Sequence, residues 1–168
     1  MAPGTFYRAV VLTISDSTAA GTRDDVSGPA VKDFLTEKGF RVIGREVVPD
    51  DLQAIVSALL RLAETNDLIV TTGGTGLGPR DVTPEATLSV CERLVPGIAE
   101  LMRAEGQKHT PYAALARGIC GAKGHTLILN LPGSPAGAVD SLSSVAHLIP
   151  HALELLRGQT QHGSASVQ

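Results

Sequence analysis

The groups in this chain best suited to chemistry are three carboxylates, Asp16, Asp50 and Asp81, and the glycine cluster Gly73, Gly74, Gly76 and Gly78 that leads into Arg80 and Asp81. Glycines packed this closely suit a backbone that must reach positive φ or approach a ligand, and their exposed amides favour an anion. Separated carboxylates favour a hard cation such as Mg²⁺. The two together fit a metal-bridged phosphoryl or nucleotidyl transfer. Thr75, Ser15, Ser17, Asn130 and Ser134 add hydroxyl and amide groups, and Pro132 and Gly133 complete a second loop of the same kind. Simpler readings stand beside these. The glycines also suit a tight strand-to-helix turn, Asp50 or Asp51 suits a helix cap, and Arg80 suits either a phosphate or a neighbouring carboxylate. The cluster is not a P-loop, because the lysine of GxxxxGK[ST] is absent, and it is not a dinucleotide fingerprint. No serine, histidine and aspartate form a recognisable triad. His147 and His151 lie four apart on the last helical stretch, where without a third ligand they read as packing or solvated residues.

These groups need a scaffold, and the apolar pattern supplies one. Leu68 to Val70 is a short β-branched-rich run without polar alternation, as in a strand buried on both faces of a parallel sheet. Arg8 to Ser15 is a second such run, closed by Asp16, Ser17 and Thr18. Arg41 to Val48 is less apolar and reads as a strand near the sheet edge, and His125 to Leu131 is the fourth. Helical spacing follows Ser27, a plausible N-cap, until Gly39, and Leu52 to Leu62 carries an apolar stripe. Thr83 reads as an N-cap before Pro84, with a helix over Glu85 to Leu94. Further helices are predicted from Pro96 to about Gln107, over Tyr112 to Arg117, and from Ala138 to Arg157, the last kinked or split at Pro150. The alternation predicts a single-domain, doubly wound α/β fold, mostly parallel, over 1–157, with 158–168 a disordered tail. In such sheets ligands bind at the carboxyl ends of the strands where strand order reverses. All the unusual loops, Ser15 to Asp25, Pro49 to Asp51, Gly73 to Asp81 and Asn130 to Gly137, fall at carboxyl ends. With the order two, one, three, four, the loops after strands one and three would flank the crevice.

The bulk composition narrows the class. The chain has 168 residues, 14 basic and 17 acidic, for a formal charge of −3, which offers no electrostatic footprint for nucleic acid. Aromatics are 3% and tryptophan is absent, so the core is expected to be aliphatic and a base-stacking platform is disfavoured. Cys91 and Cys120 have no CxxC spacing and read as two reduced core thiols. The apolar runs are far short of a membrane span and no leader pattern opens the chain, so a soluble cytoplasmic protein is expected.

Five segments carry a resemblance: LTISDSTAAGTRDDVSGP (Leu12 to Pro29), VVPDD (Val47 to Asp51), TTGGTGLGPRDVTPEAT (Thr71 to Thr87), TPYAALARGICG (Thr110 to Gly121) and LILNLPGSPAGAVDSL (Leu127 to Leu142). In order and spacing they resemble the molybdenum-cofactor biosynthesis domain, shared by molybdopterin adenylyltransferases and gephyrin-like proteins. The resemblance implies transfer of AMP from Mg²⁺-ATP to the terminal phosphate of molybdopterin, with release of pyrophosphate. It implies that Asp50 and Asp81 are catalytic and hold the Mg²⁺, and that Ser15 and Asp16 lie on the nucleotide side. Gly73, Gly74, Thr75, Gly76, Arg80, Asn130, Pro132, Gly133 and Ser134 would contact nucleotide or pterin. It further implies a homotrimer and docking to a molybdenum-insertion protein. Two positions depart from the pattern: Ala116 stands where family members often have serine, and Ala136 where they often have lysine. Each removes a potential phosphate contact, which keeps open a non-catalytic molybdopterin carrier or trimeric scaffold as the alternative.

Overall fold

The computed structural model describes residues 6–159. Six strands form one sheet: β1 (Arg8–Ile14), β2 (Arg41–Val48), β3 (Leu68–Thr72), β4 (Arg93–Leu94), β5 (Cys120–Lys123) and β6 (Thr126–Leu131), in the order β2-β1-β3-β6-β5-β4. The first four in that order run parallel, and β5 and β4 add antiparallel at the far edge. The reversal of strand order between β1 and β3, expected from the alternation, is present.

Burial explains the strand compositions. β3 is buried at every position, as its unbroken Leu-Ile-Val run requires, whereas β2 pairs only with β1 and alternates between exposed and half-buried residues. One face of the sheet is covered by α2 (Ser27–Glu37), α5 (Pro96–Gly106), α6 (Pro135–Val145) and α7 (Ile149–Leu156), whose Val31, Met102, Leu142 and Leu153 pack against Val11, Val70 and Leu129. The other face is covered by α3 (Leu52–Ala63) and α4 (Thr83–Val90), which bury Ile55, Leu59 and Ala86 against Val10, Leu12 and Ile128. Each fully buried aliphatic side chain contributes about 1.5–3 kcal/mol relative to exposure, so the sheet is held from both sides. At the amino ends of the strands Asp67 accepts hydrogen bonds from the Arg8 amide (2.8 Å) and from Arg157 (2.7 Å), tying the start of β1 to the end of α7.

Local detail corrects several expectations. The helix expected over Glu85 to Leu94 stops at Val90, and Arg93–Leu94 turn out to pair with β5. β5 itself has no counterpart in the sequence reading. The short helix expected over Tyr112 to Arg117 is a 3-10 turn, Pro111–Leu115. Ser27 and Thr83 are first helical residues and not caps, because their hydroxyls are engaged elsewhere: Ser27 with Thr72 (2.9 Å) and Thr83 with the Gly73 carbonyl (3.0 Å). Gly39 does end α2, at φ +87°. The last helix is split, and Pro150 sits in the first turn of α7, where its missing N–H costs nothing. Of the stretch read as a tail, Gly158 and Gln159 continue from α7, and the rest lies outside the described residues.

Candidate active site

Three strand ends, those of β1, β3 and β6, converge on Gly73. A Cβ at Gly73 would lie 2.3 Å from the Ile14 carbonyl oxygen, and one at Gly133 would lie 3.3 Å from the Gly73 Cα. The backbone at Gly73 and Gly74 is left-handed, at φ +95° and +63°. Together these turn the chain sharply out of β3. Gly76 and Gly78 are needed for another reason: a Cβ at either would fall 2.8 Å from Asp81 Oδ2, the oxygen that accepts the Gly78 amide at 2.8 Å. The loop folds around the Asp81 carboxylate and leaves its Oδ1 without a protein donor among the described residues.

The three aspartates separate by role. Asp51 is the α3 cap, accepting the Ala54 amide at 2.9 Å, which leaves Asp50 free of that duty. Asp50 and Asp16 instead make a reciprocal pair: the Asp16 amide donates to Asp50 Oδ2 (2.8 Å) and the Asp50 amide to Asp16 Oδ1 (3.0 Å). Arg80 donates to both Asp16 oxygens, at 2.9 and 2.8 Å, so of the two roles read for it the structure has the carboxylate pair. This fork joins the glycine loop to the loops after β1 and β2. Asp50 Oδ1 has no protein donor among the described residues, and a Cβ at Gly74 would stand 3.2 Å from it.

The electrostatics follow the contacts. Arg80 holds the Asp16 carboxyl below the usual range through its hydrogen bond. Burial pushes Asp50 up, the charges of Asp16 and Asp81 add to this, and the Asp16 amide works against it. A divalent cation bound near Asp50 and Asp81 would relieve the repulsion that disfavours the Asp50 carboxylate. Among the described residues no three His, Cys, Asp or Glu side chains gather as a metal site. Mg²⁺ rarely asks for one, since it is usually held by one or two carboxylates together with waters and substrate phosphates. Asp50 and Asp81 fit that demand.

Two clefts flank this centre. The larger, about 720 Å³, is bounded by Gly74, Thr75, Gly76 and Asp81 on one side and Asn130, Pro132, Gly133 and Ser134 on the other. The smaller, about 530 Å³, takes in Ser15, Gly73, Gly133 and Ser134. Asp16, Asp50 and Arg80 stand outside both linings. Ser15 caps the short α1 (Asp16–Ala19) and shares a 3.2 Å hydrogen bond with Ser17, and Ser134 caps α6. The Asn130 side chain is committed to the scaffold, donating to Thr71 (3.0 Å) and Thr87 (2.9 Å) and accepting the Ile119 amide (3.2 Å). Of the two departures, Ala116 lines the larger cleft, whereas Ala136 is exposed and lines neither.

The far walls were not singled out from the sequence. Met102, Tyr112 and Leu115, from α5 and the 3-10 turn, close the larger cleft. In the smaller, Asp25 accepts from Thr13 (2.9 Å), Arg45 (3.2 Å) and the Gly28 amide (2.9 Å). The only signal for either lay in the segments TPYAALARGICG and SDSTAAGTRDD, which offer recognisable order but no telling residue type.

Comparison with known proteins points one way. Residues 10–151 match the family described as "Probable molybdopterin binding domain". The chain is 39% identical over 152 residues to the molybdopterin adenylyltransferase of Helicobacter pylori J99, covering 88% of this chain and 86% of that protein. It is 43% identical to the molybdenum cofactor synthesis protein cinnamon of Drosophila melanogaster over 87% of this chain, and spans only 25% of that much longer relative. Among solved structures, the molybdopterin biosynthesis enzyme MoaB of Thermus thermophilus superposes with a TM-score of 0.86 at 49% identity, over 91% of this chain and 98% of that one. With the matched region taking in both clefts and all of the sheet but the first two residues of β1, the chain belongs to the molybdenum-cofactor biosynthesis family of molybdopterin-binding domains.

Proposed function

We propose that the protein is a molybdopterin adenylyltransferase, transferring AMP from ATP to the terminal phosphate of molybdopterin. The observation that carries this reading is that two carboxylates, Asp50 and Asp81, each commit one oxygen to a loop amide and have no protein donor on the other among the described residues, at the glycine loop of a 720 Å³ cleft that Asp81 lines. In the reaction an oxygen of the molybdopterin phosphate forms a bond to the α-phosphorus of ATP, the bond from that phosphorus to the bridging oxygen breaks, and pyrophosphate leaves. Such a transfer needs little covalent chemistry from the protein; positioning and charge stabilisation do most of the work. The glycine-loop amides would bind phosphate oxygens, Asp50 and Asp81 would hold the cation that accompanies ATP, and Asp16 with Arg80 keeps Asp50 in place. Mg²⁺ bound there would neutralise developing phosphate charge. The apolar wall of Met102 and Leu115 suits the flat pterin.

The same reading makes the protein a cytoplasmic homotrimer that docks to a molybdenum-insertion protein, supported by the family resemblance and by the longer relative in which the matching domain is one part of a larger chain. No helix among the described residues is long and apolar enough to cross a membrane.

A single-turnover assay with molybdopterin, ATP and Mg²⁺ tests the reading. The native protein should form adenylylated product and pyrophosphate, and Asp81→Asn should lower the rate at least a hundredfold with the fold intact. Tight molybdopterin binding without product would move the protein to the carrier class, with Ala116, in the wall of the larger cleft, as the first position to restore to serine.

A further inference from the structure

Arg117 lies far from the aspartates in sequence, and all its polar contacts are with the glycine loop and α4. Its amide donates to the Thr75 carbonyl (2.9 Å), its Nε to the Gly76 carbonyl (2.7 Å) and its Nη2 to the Asp81 carbonyl (2.6 Å). The fork is completed by Glu85, paired with Nη1 and held below the usual carboxylate range by that hydrogen bond. Arg103 braces the same segment from α5, donating to the Gly118 carbonyl at 3.0 Å.

Peptide planarity gives these contacts a consequence. In a trans peptide the N–H points opposite to the C=O of the preceding residue. With the Thr75 and Gly76 carbonyls drawn to Arg117, the amides of Gly76 and Leu77 are directed away from it. Neither has a protein acceptor among the described residues. Thr75, Gly76 and Leu77 line the larger cleft, as do Ala116 and Gly118, whereas Arg117 itself does not.

We propose that Arg117 is a positioning residue of the site, one that turns three loop carbonyls back and presents the Gly76 and Leu77 amides to the phosphate of a substrate in the larger cleft. This rests on the adenylyl-transfer reading for the identity of that substrate. Arg117 acts from outside the cleft lining, its guanidinium held by Gly76, Asp81 and Glu85. Lysine is not a substitute, because a single ammonium cannot reproduce the planar fork that meets carbonyls and a carboxylate at once.

The test uses the full chain labelled with ¹⁵N and titrated with inorganic pyrophosphate in Mg²⁺-free buffer. In the native protein the Gly76 and Leu77 amide resonances should move with the titration. Arg117→Met and Arg117→Lys, which keep the backbone bond to Thr75 but lose the side-chain fork, should each weaken binding at least tenfold and abolish the Leu77 shift, and Glu85→Gln, which keeps the guanidinium but loosens it, should fall between. Should Arg117→Met not fold, the native and Glu85→Gln titrations decide. The proposal is overturned by native-like affinity in Arg117→Met, by Gly76 and Leu77 standing still in the native protein, or by a direct response at Arg117 Nε in their place. Amide shifts without any AMP transfer would sink the adenylyltransferase reading and leave the cradle standing, so the two failures are distinguishable.

Discussion

Gly73 is crowded by backbone, with a hypothetical Cβ 2.3 Å from the Ile14 carbonyl at φ +95°. Gly73→Ala should therefore cost about 2–4 kcal/mol, combining backbone strain with a clash that β1 cannot relieve. Gly21 is the control: φ is +72° there too, but nothing lies within 4 Å, and alanine should cost about 1 kcal/mol. Equal shifts in the thermal midpoint for the two variants would show that crowding at the strand ends is unimportant. The glycine cluster was legible as a cluster, since composition alone marks it. The division of labour within it was not: Gly73 serves close approach of β1, while Gly76 and Gly78 make room for Asp81, and both depend on atoms brought in by the fold. The ambiguity between Asp50 and Asp51 was of the same kind, decided by which carboxylate meets the Ala54 amide.

At the scale of elements, the loop between β3 and α4 is held by two ion pairs, Arg80 with Asp16 and Arg117 with Glu85. Both carboxylates lie below their ordinary range. A carboxylate lowered in this way stabilises the fold above its unfolded value, and the contribution fades as pH falls through the folded one. The pairs are largely exposed, so each is worth little to global stability. The loop, however, depends on both. Acidification below about pH 4 should lower the protection factors of the bonded loop amides, Asp81 and Thr83, before those of β1 or β3 fall; simultaneous loss of protection in loop and strands would show that the pairs do not act locally. The long periodic helices and the buried strands were legible because their apolar spacing is intrinsic to the sequence. β4 and β5 were not, because strands of two and four residues exist only through pairing, and Cys120–Lys123 carries no alternation to signal it. The hydroxyls of Ser27 and Thr83 were misread for a related reason: capping is the local option, and partners distant in sequence took them instead.

At the scale of the molecule, the two helix layers bury their apolar faces on opposite sides of a single sheet, and the same three strands serve both. Damage to either layer should consequently be felt by the whole. Leu142→Ala on one side and Leu59→Ala on the other, both fully buried, should each cost about 2–5 kcal/mol and shift one cooperative transition seen alike by circular dichroism and calorimetry. A second transition in either variant would mean that the layers unfold separately. The overall architecture was the most legible level of all, since strand–helix alternation restricts a chain of this length to few topologies.

Asp67 has a meaning beyond its hydrogen bonds. It gathers the first residue of β1 and the end of α7 at the amino ends of the strands, on the side turned away from the clefts. The domain is in effect a cassette. With Arg8 and Arg157 meeting at one carboxylate, a longer polypeptide could enter and leave the fold at its base, opposite the mouth of the site.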